Sequence, residues 1–310
     1  MSEAIEDIPP ATPERLDKPL APGLYLVATP IGNLEDITIR ALRVLRSVDR
    51  IACEDTRQTA KLLGHFGIRT PTVSYHAHNE NSRASELIDT LKSGGRIAIV
   101  SDAGMPGIAD PGATIAAQAI AAGIQVFPIP GANAALSALI ASGLSTERFT
   151  FHGFLPSREG QRRSVLESLH AQTQDGATTA IFYETPHRIV DALADIVAIF
   201  GPKQPIVLAR ELTKLHEEFV RGTAAEVMAI FIARASIRGE IVLLIDGTPH
   251  PATSPVTSDT PALRLADEVA TLMKSETLSE KDALKRVAKS RGISKSEAYR
   301  ELQRSTARHR

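Results

Sequence analysis

Residues 97–112 read Ile-Ala-Ile-Val-Ser-Asp-Ala-Gly-Met-Pro-Gly-Ile-Ala-Asp-Pro-Gly, an apolar run that ends abruptly in a loop. Four consecutive apolar residues, Ile97–Val100, are the pattern of a strand buried on both faces, as parallel strands are. The loop holds Gly104, Gly107, Gly112, Pro106, Pro111 and the aspartates Asp102 and Asp110. In open α/β sheets ligands bind outside the carboxyl ends of the strands. Glycines there let a ligand approach the backbone, and prolines hold the loop in one shape. A plain strand-to-helix turn uses the same residue types, but so much turn chemistry in one loop points to binding.

The pattern repeats on both sides of this loop. Apolar runs at Leu24–Ala28, Arg50–Cys53, Thr72–Tyr75 and Val126–Ile129 alternate with helical patterns at Thr38–Ser47, Thr56–Phe66, Asn81–Lys92, Ala113–Ala122 and Ala132–Ser142. Strands alternating with helices of this length predict βαβ units and a parallel sheet, with Thr38, Thr56 and Asn81 as helix caps. A second block begins near Phe149. Its runs Phe149–Phe154, Thr179–Tyr183, Ile206–Ala209 and Ile241–Ile245 are more widely spaced, with helices expected at Arg162–His170, His187–Phe200 and Ala224–Ala235. The expected fold is therefore α/β: residues 23–135 and 136–247 form two α/β domains with a cleft between them, a usual location for small-molecule sites.

Residues 1–22, with five prolines, read as a disordered tail, and 248–261, rich in Pro, Thr and Ser, as a linker. Residues 262–310 read as a small helix-turn-helix-like appendage, with Gly292 ending one helix and Ser294 capping the next.

The chain has 310 residues, 43% of them apolar, and a formal net charge of −1. That composition can bury sizeable cores and excludes disorder of the whole chain. The charge is unevenly placed: Lys281–Arg310 carries ten Lys or Arg against three acidic residues, a net +7 that leaves −8 on the remainder. A basic patch on an acidic body is the footprint of a polyphosphate partner, although a solvated helical face shows the same count. Lys285, Arg286, Lys289, Arg291 and Lys295 are its candidate RNA contacts. With Cys53 the only cysteine, neither an internal disulfide nor a multi-thiolate zinc site can form, which fits a cytoplasmic location. The acidic N-terminus lacks the apolar core of a signal peptide, and Pro128, Pro130 and Gly131 break the one stretch long enough to consider as a membrane span.

Neither a G-x-G-x-x-G turn nor a G-x-x-x-x-G-K-[ST] phosphate loop occurs, so NAD and ATP lose ground. His76-Ala-His78 lacks a supporting cysteine or an H-E-x-x-H pattern, and no metal is expected. Other segments do stand out at strand ends: Thr29-Pro30-Ile31-Gly32-Asn33-Leu34-Glu35-Asp36, Cys53-Glu54-Asp55-Thr56-Arg57, His76-Ala-His78-Asn79-Glu80, Pro130-Gly131-Ala132, and Phe182-Tyr183-Glu184.

Together with Ser101–Gly107, these segments resemble the tetrapyrrole methylase superfamily over residues 23–247. Within it they resemble the branch that 2′-O-methylates a cytidine in the decoding centre of small-subunit ribosomal RNA, and Lys281–Arg300 is similar to that branch's C-terminal extension. The resemblance implies S-adenosylmethionine in the cleft, a homodimer, ribosomal RNA as partner, and no membrane or DNA partner. Carried over by motif, it implies cofactor contacts at Pro30, Asp102, Ala103, Gly104, Ile108, Asn133, Ala134, Tyr183, Ala209 and Glu240, although Ser-Asp-Ala replaces the superfamily's usual Gly-Asp-Pro loop and Met105-Pro106-Gly107 shifts the register at Ile108.

A methyl transfer to a sugar oxygen needs in-line positioning and, because a protonated hydroxyl is a poor nucleophile, a nearby base. Glu54, His76, Glu184 and Lys214 are the candidates at loop edges, Lys214 only if desolvation lowers its pKa. Arg57 and Arg188 would suit phosphate contacts. Two rival readings remain at this stage: a C-methyltransferase of uroporphyrinogen or a corrin precursor, for which the basic extension has no use, and a non-catalytic RNA-binding assembly factor that retains the fold.

Overall fold

Ten strands fall into two five-stranded sheets in the computed structural model, which describes residues 19–76, 79–172, 178–247 and 279–290. Contacts divide the chain into two units, Met1–Pro249 and His250–Arg310, and both sheets lie in the first. The first sheet is built from β1 (Gly23–Val27), β2 (Arg50–Cys53), β3 (Thr72–Ser74), β4 (Arg96–Val100) and β5 (Val126–Ile129). Its order is β3-β2-β4-β1-β5 and every pairing is parallel. The connecting helices are α1 (Ile39–Ser47), α2 (Thr56–His65), α3 (Glu80–Lys92) and α4 (Ala113–Ala121).

Period-two alternation divides the strands between two cores. Tyr25, Val27 and Ile51 pack with Val44, Leu45 and Leu63 of α1 and α2, while Leu24, Ile97 and Ile99 pack with Leu87, Ile88 and Ile115 of α3 and α4. A sheet covered on both faces has its one open working edge where the strands end, as the apolar run at Ile97–Val100 predicts.

The second sheet is mixed, in the order β6-β7-β10-β8-β9, from β6 (Phe149–Phe154), β7 (Thr179–Glu184), β8 (Pro205–Arg210), β9 (Glu218–Thr223) and β10 (Ile241–Ile245). Only β6 and β7 run parallel. One face carries α6 (Glu159–Gln172), α7 (Ile189–Phe200) and α8 (Ala224–Ile232), whose Leu166, Leu193 and Phe231 pack over Phe182, Leu208 and Leu243. The other face receives α5 (Ala134–Ser142), the helix that follows the last strand of the first sheet. Its Ala135, Ala138 and Leu139 pack against Ile181, Val207, Val242 and Leu244. These small side chains let the helix lie close, so α5 joins the two halves.

Several expectations are corrected. Thr38 caps α1, its side chain accepting from the Ala41 amide, but α2 is capped by Asp55 rather than Thr56, because the Asp55 carboxylate accepts the Arg57 amide. Asn79, not Asn81, precedes α3, and its Oδ1 accepts the His76 amide instead of a helix amide. Strand β9 lies outside the expected runs: it is an edge strand whose charges and Gly222 hide its alternation, and charges are a common protection of edge strands.

In the second unit the described helix is α9 (Glu280–Ser290), with Ser279 accepting the Asp282 amide and Ala283, Leu284 and Val287 buried on one face. The expected linker, Gly292 and Ser294 lie outside the described residues, as do residues 1–18 of the expected tail. No helix of the described residues is long and apolar enough to cross a membrane.

One buried charge cluster ties α6 to α7. Arg162 Nε donates to Asp195 Oδ2 at 2.7 Å and Arg163 donates to the other oxygen at 3.0 Å, with the Arg162 and Asp195 side chains 6% and 8% exposed. Removing one partner of such a pair strands the other. Asp195→Ala is therefore expected to lower the unfolding free energy by about 3–5 kcal/mol in urea titration; a loss near zero would mean that Arg162 regains water without cost.

Candidate functional site

The carboxyl ends of β1, β2, β4 and β5 share one edge of the first sheet, and their loops wall a cavity of about 430 Å³. That volume is within the range of small-molecule sites, roughly 300–1,000 Å³. Ile31, Glu54, Asp102–Met105, Ile108–Asp110, Asn133 and Ala134 line it from the first half. From the second half come Phe154, the Tyr183–Pro186 turn after β7, Leu212, and Glu240–Val242 at the start of β10.

The loop after β4 is held by backbone and hydroxyl bonds. Thr29 and Gly104 exchange both amide hydrogen bonds, at 2.9 and 3.1 Å, in an isolated bridge between the loops after β1 and β4. Thr29 Oγ1 donates to the Ser101 carbonyl, and Ser101 Oγ donates to the Gly104 carbonyl. Gly104 sits at φ +79°, a conformation that only glycine adopts without strain, so this crossing of two loops depends on it. Ala109 takes φ +62° in the same loop and lines the cavity. An L-residue held there costs about 1–2 kcal/mol, the kind of strain that collects at binding sites.

Carboxylates dominate the electrostatics of this wall. Burial pushes Asp110 up to about 6, helped by the neighbouring charges of Glu54 and Asp102, with a Ser101 hydrogen bond acting the other way. Glu54 is also raised, by burial first and Asp102 second, against a lowering influence from His76. Asp102 accepts the Asp55 amide at 3.2 Å, which ties the loops after β2 and β4 together.

Eight of the ten cofactor positions implied by resemblance line this cavity: Asp102, Ala103, Gly104, Ile108, Asn133, Ala134, Tyr183 and Glu240. Pro30 is buried next to the Thr29–Gly104 bridge, and Ala209 is fully buried in the cluster beneath α5. Asn133 also caps α5, its side chain accepting the Leu136 amide.

The candidate bases separate on geometry. The Glu184 side chain is fully buried and its oxygens are filled: Arg188 donates to both, at 2.6 and 3.0 Å, and the Thr185 amide donates to Oε2 at 2.7 Å. Arg188 further donates to the Leu155 carbonyl, so its fork is spent inside the protein rather than presented to a phosphate. Lys214 departs from expectation. Burial lowers its pKa, but hydrogen bonds to Glu211 and Glu240 outweigh burial and the net shift is upward, which keeps it a cation. Its role is a clamp at the start of β10. Glu54 lines the cavity with no ion pair among the described residues, and His76 lies close enough to influence it.

Arg57 is largely exposed and bridges to Asp55 at 2.8 Å. Lys285 and Arg286 are exposed on α9, which also contains Lys289; Arg291, Lys295 and His78 lie outside the described residues. Asp110, Phe154 and Leu212 also line the cavity, although neither motif nor resemblance gives them a site role. A glycine inside a strand pattern, Gly153, was the signal for Phe154, since it marks a bulge.

The family model of the tetrapyrrole (corrin/porphyrin) methylases matches residues 23–228. A curated relative from Halalkalibacterium halodurans, ribosomal RNA small subunit methyltransferase I, is 50% identical over 280 residues, covering 89% of this chain and 93% of the relative. A relative of the same name from Synechocystis sp. is 45% identical over 283 residues, covering 91% and 92%. Among solved structures, a conserved hypothetical protein from Aeropyrum pernix K1 superposes with a TM-score of 0.58 at 19% identity, over 73% of this chain and 85% of that one, which shows the shared fold alone.

The raised Asp110 has a consequence for stability with a definite sign. Its folded pKa of about 6 exceeds the ordinary value of 3.8, so its contribution is fully present below that ordinary value and is lost as pH rises through 6. Asp110→Asn, which stays neutral, is expected to gain about 1–2 kcal/mol of unfolding free energy at pH 8 and almost none at pH 4. Denaturant titrations at the two pH values measure this; an equal gain at both would place the effect outside this ionisation.

Proposed function

The chain belongs to the tetrapyrrole (corrin/porphyrin) methylase family, and from that premise we propose that it is an S-adenosylmethionine-dependent methyltransferase of small-subunit ribosomal RNA, acting on the 2′-oxygen of a cytidine. The observation that carries this reading is the half-sequence identity to ribosomal RNA small subunit methyltransferase I, which extends over nearly the whole of both chains.

The cavity suits such a donor in size and in charge. Glu54, Asp102 and Asp110 offer negative charge to a cationic ligand, while Ile31, Ile108 and Leu212 offer apolar surface. Asp102, the backbone of Ala103–Gly104 and the Asn133–Ala134 turn are the groups that would hold it. When bound, S-adenosylmethionine supplies an electrophilic methyl group on sulfur.

The protein's part is positioning and proton transfer. Glu54 would take up the proton of the sugar hydroxyl, and its raised pKa makes it a better base than an ordinary carboxylate. The buried Glu184–Arg188 pair fixes the Tyr183–Pro186 turn that faces it. A 2′-hydroxyl reaction selects RNA over DNA by the only group in which their sugars differ. Lys285 and Arg286 add attraction for phosphates that weakens with salt. The working form is a homodimer in the cytoplasm, where ribosomal subunits are found.

Purified chain incubated with labelled S-adenosylmethionine and small ribosomal subunits that lack the modification is expected to label the RNA, with 2′-O-methylcytidine as the nucleoside recovered on digestion. Label on a base carbon, or none, overturns the assignment. Glu54→Gln is expected to lower kcat about 10²- to 10⁴-fold while the calorimetric Kd for S-adenosylmethionine stays within about twofold; an unchanged kcat removes Glu54 from the proton path.

A further inference from the structure

Strand β6 carries an irregularity that redirects one side chain. Phe151 pairs with Ile181 and Phe154 with Tyr183, so three steps along β6 match two along β7. The extra residue is a bulge, which is uncommon in parallel pairs and frequent beside active sites. Side chains alternate between faces, so Phe154, three residues after Phe151, would point to the opposite face of a regular strand. The bulge instead brings both rings to Tyr183, with centroids 4.9 and 5.6 Å away and edge-to-face. His152 stacks on Phe182, whose side chain belongs to the helix-covered core.

Gly153 makes this possible. It sits at φ +68°, while a Cβ on it would meet nothing within 4 Å, so glycine is needed there for the backbone conformation and not for room. The product is a phenylalanine that lines the cavity yet is 51% exposed. The exposed part of this ring is apolar surface that a ligand in the cavity can cover. Arg158, four residues on, is exposed and makes no ion pair among the described residues. An open aromatic face followed by a free guanidinium is the pairing that single-stranded nucleic acid uses, one for a base and one for a phosphate.

We infer that Phe154 is the stacking platform for the nucleobase of the acceptor nucleotide, with Tyr183 bracing its ring edge-on and Arg158 taking an adjacent phosphate. This rests on the ribosomal RNA reading above and adds the residue that positions the substrate. A nucleotide drawn out of its helical stack has lost its neighbours, so its base gains from a surface that replaces them, and any base has a face to offer.

The test is steady-state methyl transfer to unmodified small ribosomal subunits by the full chain, alongside calorimetry with S-adenosylmethionine alone. Phe154→Ala is expected to lower kcat/KM for subunits about 5- to 100-fold, the loss of one base–aromatic stack, with the cofactor Kd within about twofold. Phe154→Trp is expected to restore the rate, and Phe154→Leu, which keeps apolar bulk without a π face, is not. Rescue by Leu, an equal loss of cofactor affinity, or an unchanged kcat/KM would each overturn the inference. Transfer to base carbon by the wild-type chain would overturn the 2′-oxygen assignment while leaving the Phe154 measurement readable. A wild-type chain that transfers no methyl to subunits overturns the underlying reading and this inference with it.

Discussion

The packing of α5 on the second sheet is the constraint on which the rest depends. The helix leaves the carboxyl edge of the first sheet directly after β5 and lays Ala135, Ala138 and Leu139 on Ile181, Val207 and Val242. Small side chains set the distance of approach, and each buried methylene adds about 0.8 kcal/mol. Because the turn that starts α5 also contributes Asn133 and Ala134 to the cavity, the contact that joins the halves also sets the width of the site. A larger residue at Ala138 would hold the helix off the sheet and move the two walls of the site apart.

Charge placement follows the same economy. Buried Glu184 would be prohibitively unstable alone, yet with Arg188 and the Thr185 amide it becomes a rigid strut under the cavity wall. Lys214 performs the equivalent task on the other side, drawing Glu211 and Glu240 together and packing its stem over Gly32. Glu54 and Asp110 make no ion pair with an arginine or lysine among the described residues, and burial first, neighbouring carboxylates second, raise their pKa values. Structural carboxylates and chemically available ones thus differ by whether an arginine or lysine is within reach.

Much of this was legible in the chain itself. The unbroken apolar runs at Ile97–Val100 and Ile241–Ile245 identify interior strands because a strand covered on both faces needs no polar alternation. The glycine- and proline-bearing turns after β1, β4 and β5 identify the working edge, since they follow strand ends. What stayed hidden depends on contacts far apart in sequence. Nothing local in Arg188 distinguishes a phosphate ligand from a partner of Glu184, and nothing local in Lys214 announces Glu240, 26 residues away. Strand β9 has no legible apolar run because an edge strand is free to carry charges that an interior strand cannot.

The order β3-β2-β4-β1-β5 also governs how the polypeptide is made. Strand β1 has β4 on one side and β5 on the other, so Gly23–Val27 acquires no ladder partner until the ribosome has passed residue 96 and is not sealed until residue 129. At about 5–20 residues per second, roughly 4–15 s separate the synthesis of β1 from that of β4, and over that interval an apolar segment waits with both margins open. The first sheet is thus complete only when β5, the last of its strands to be made, pairs with the first.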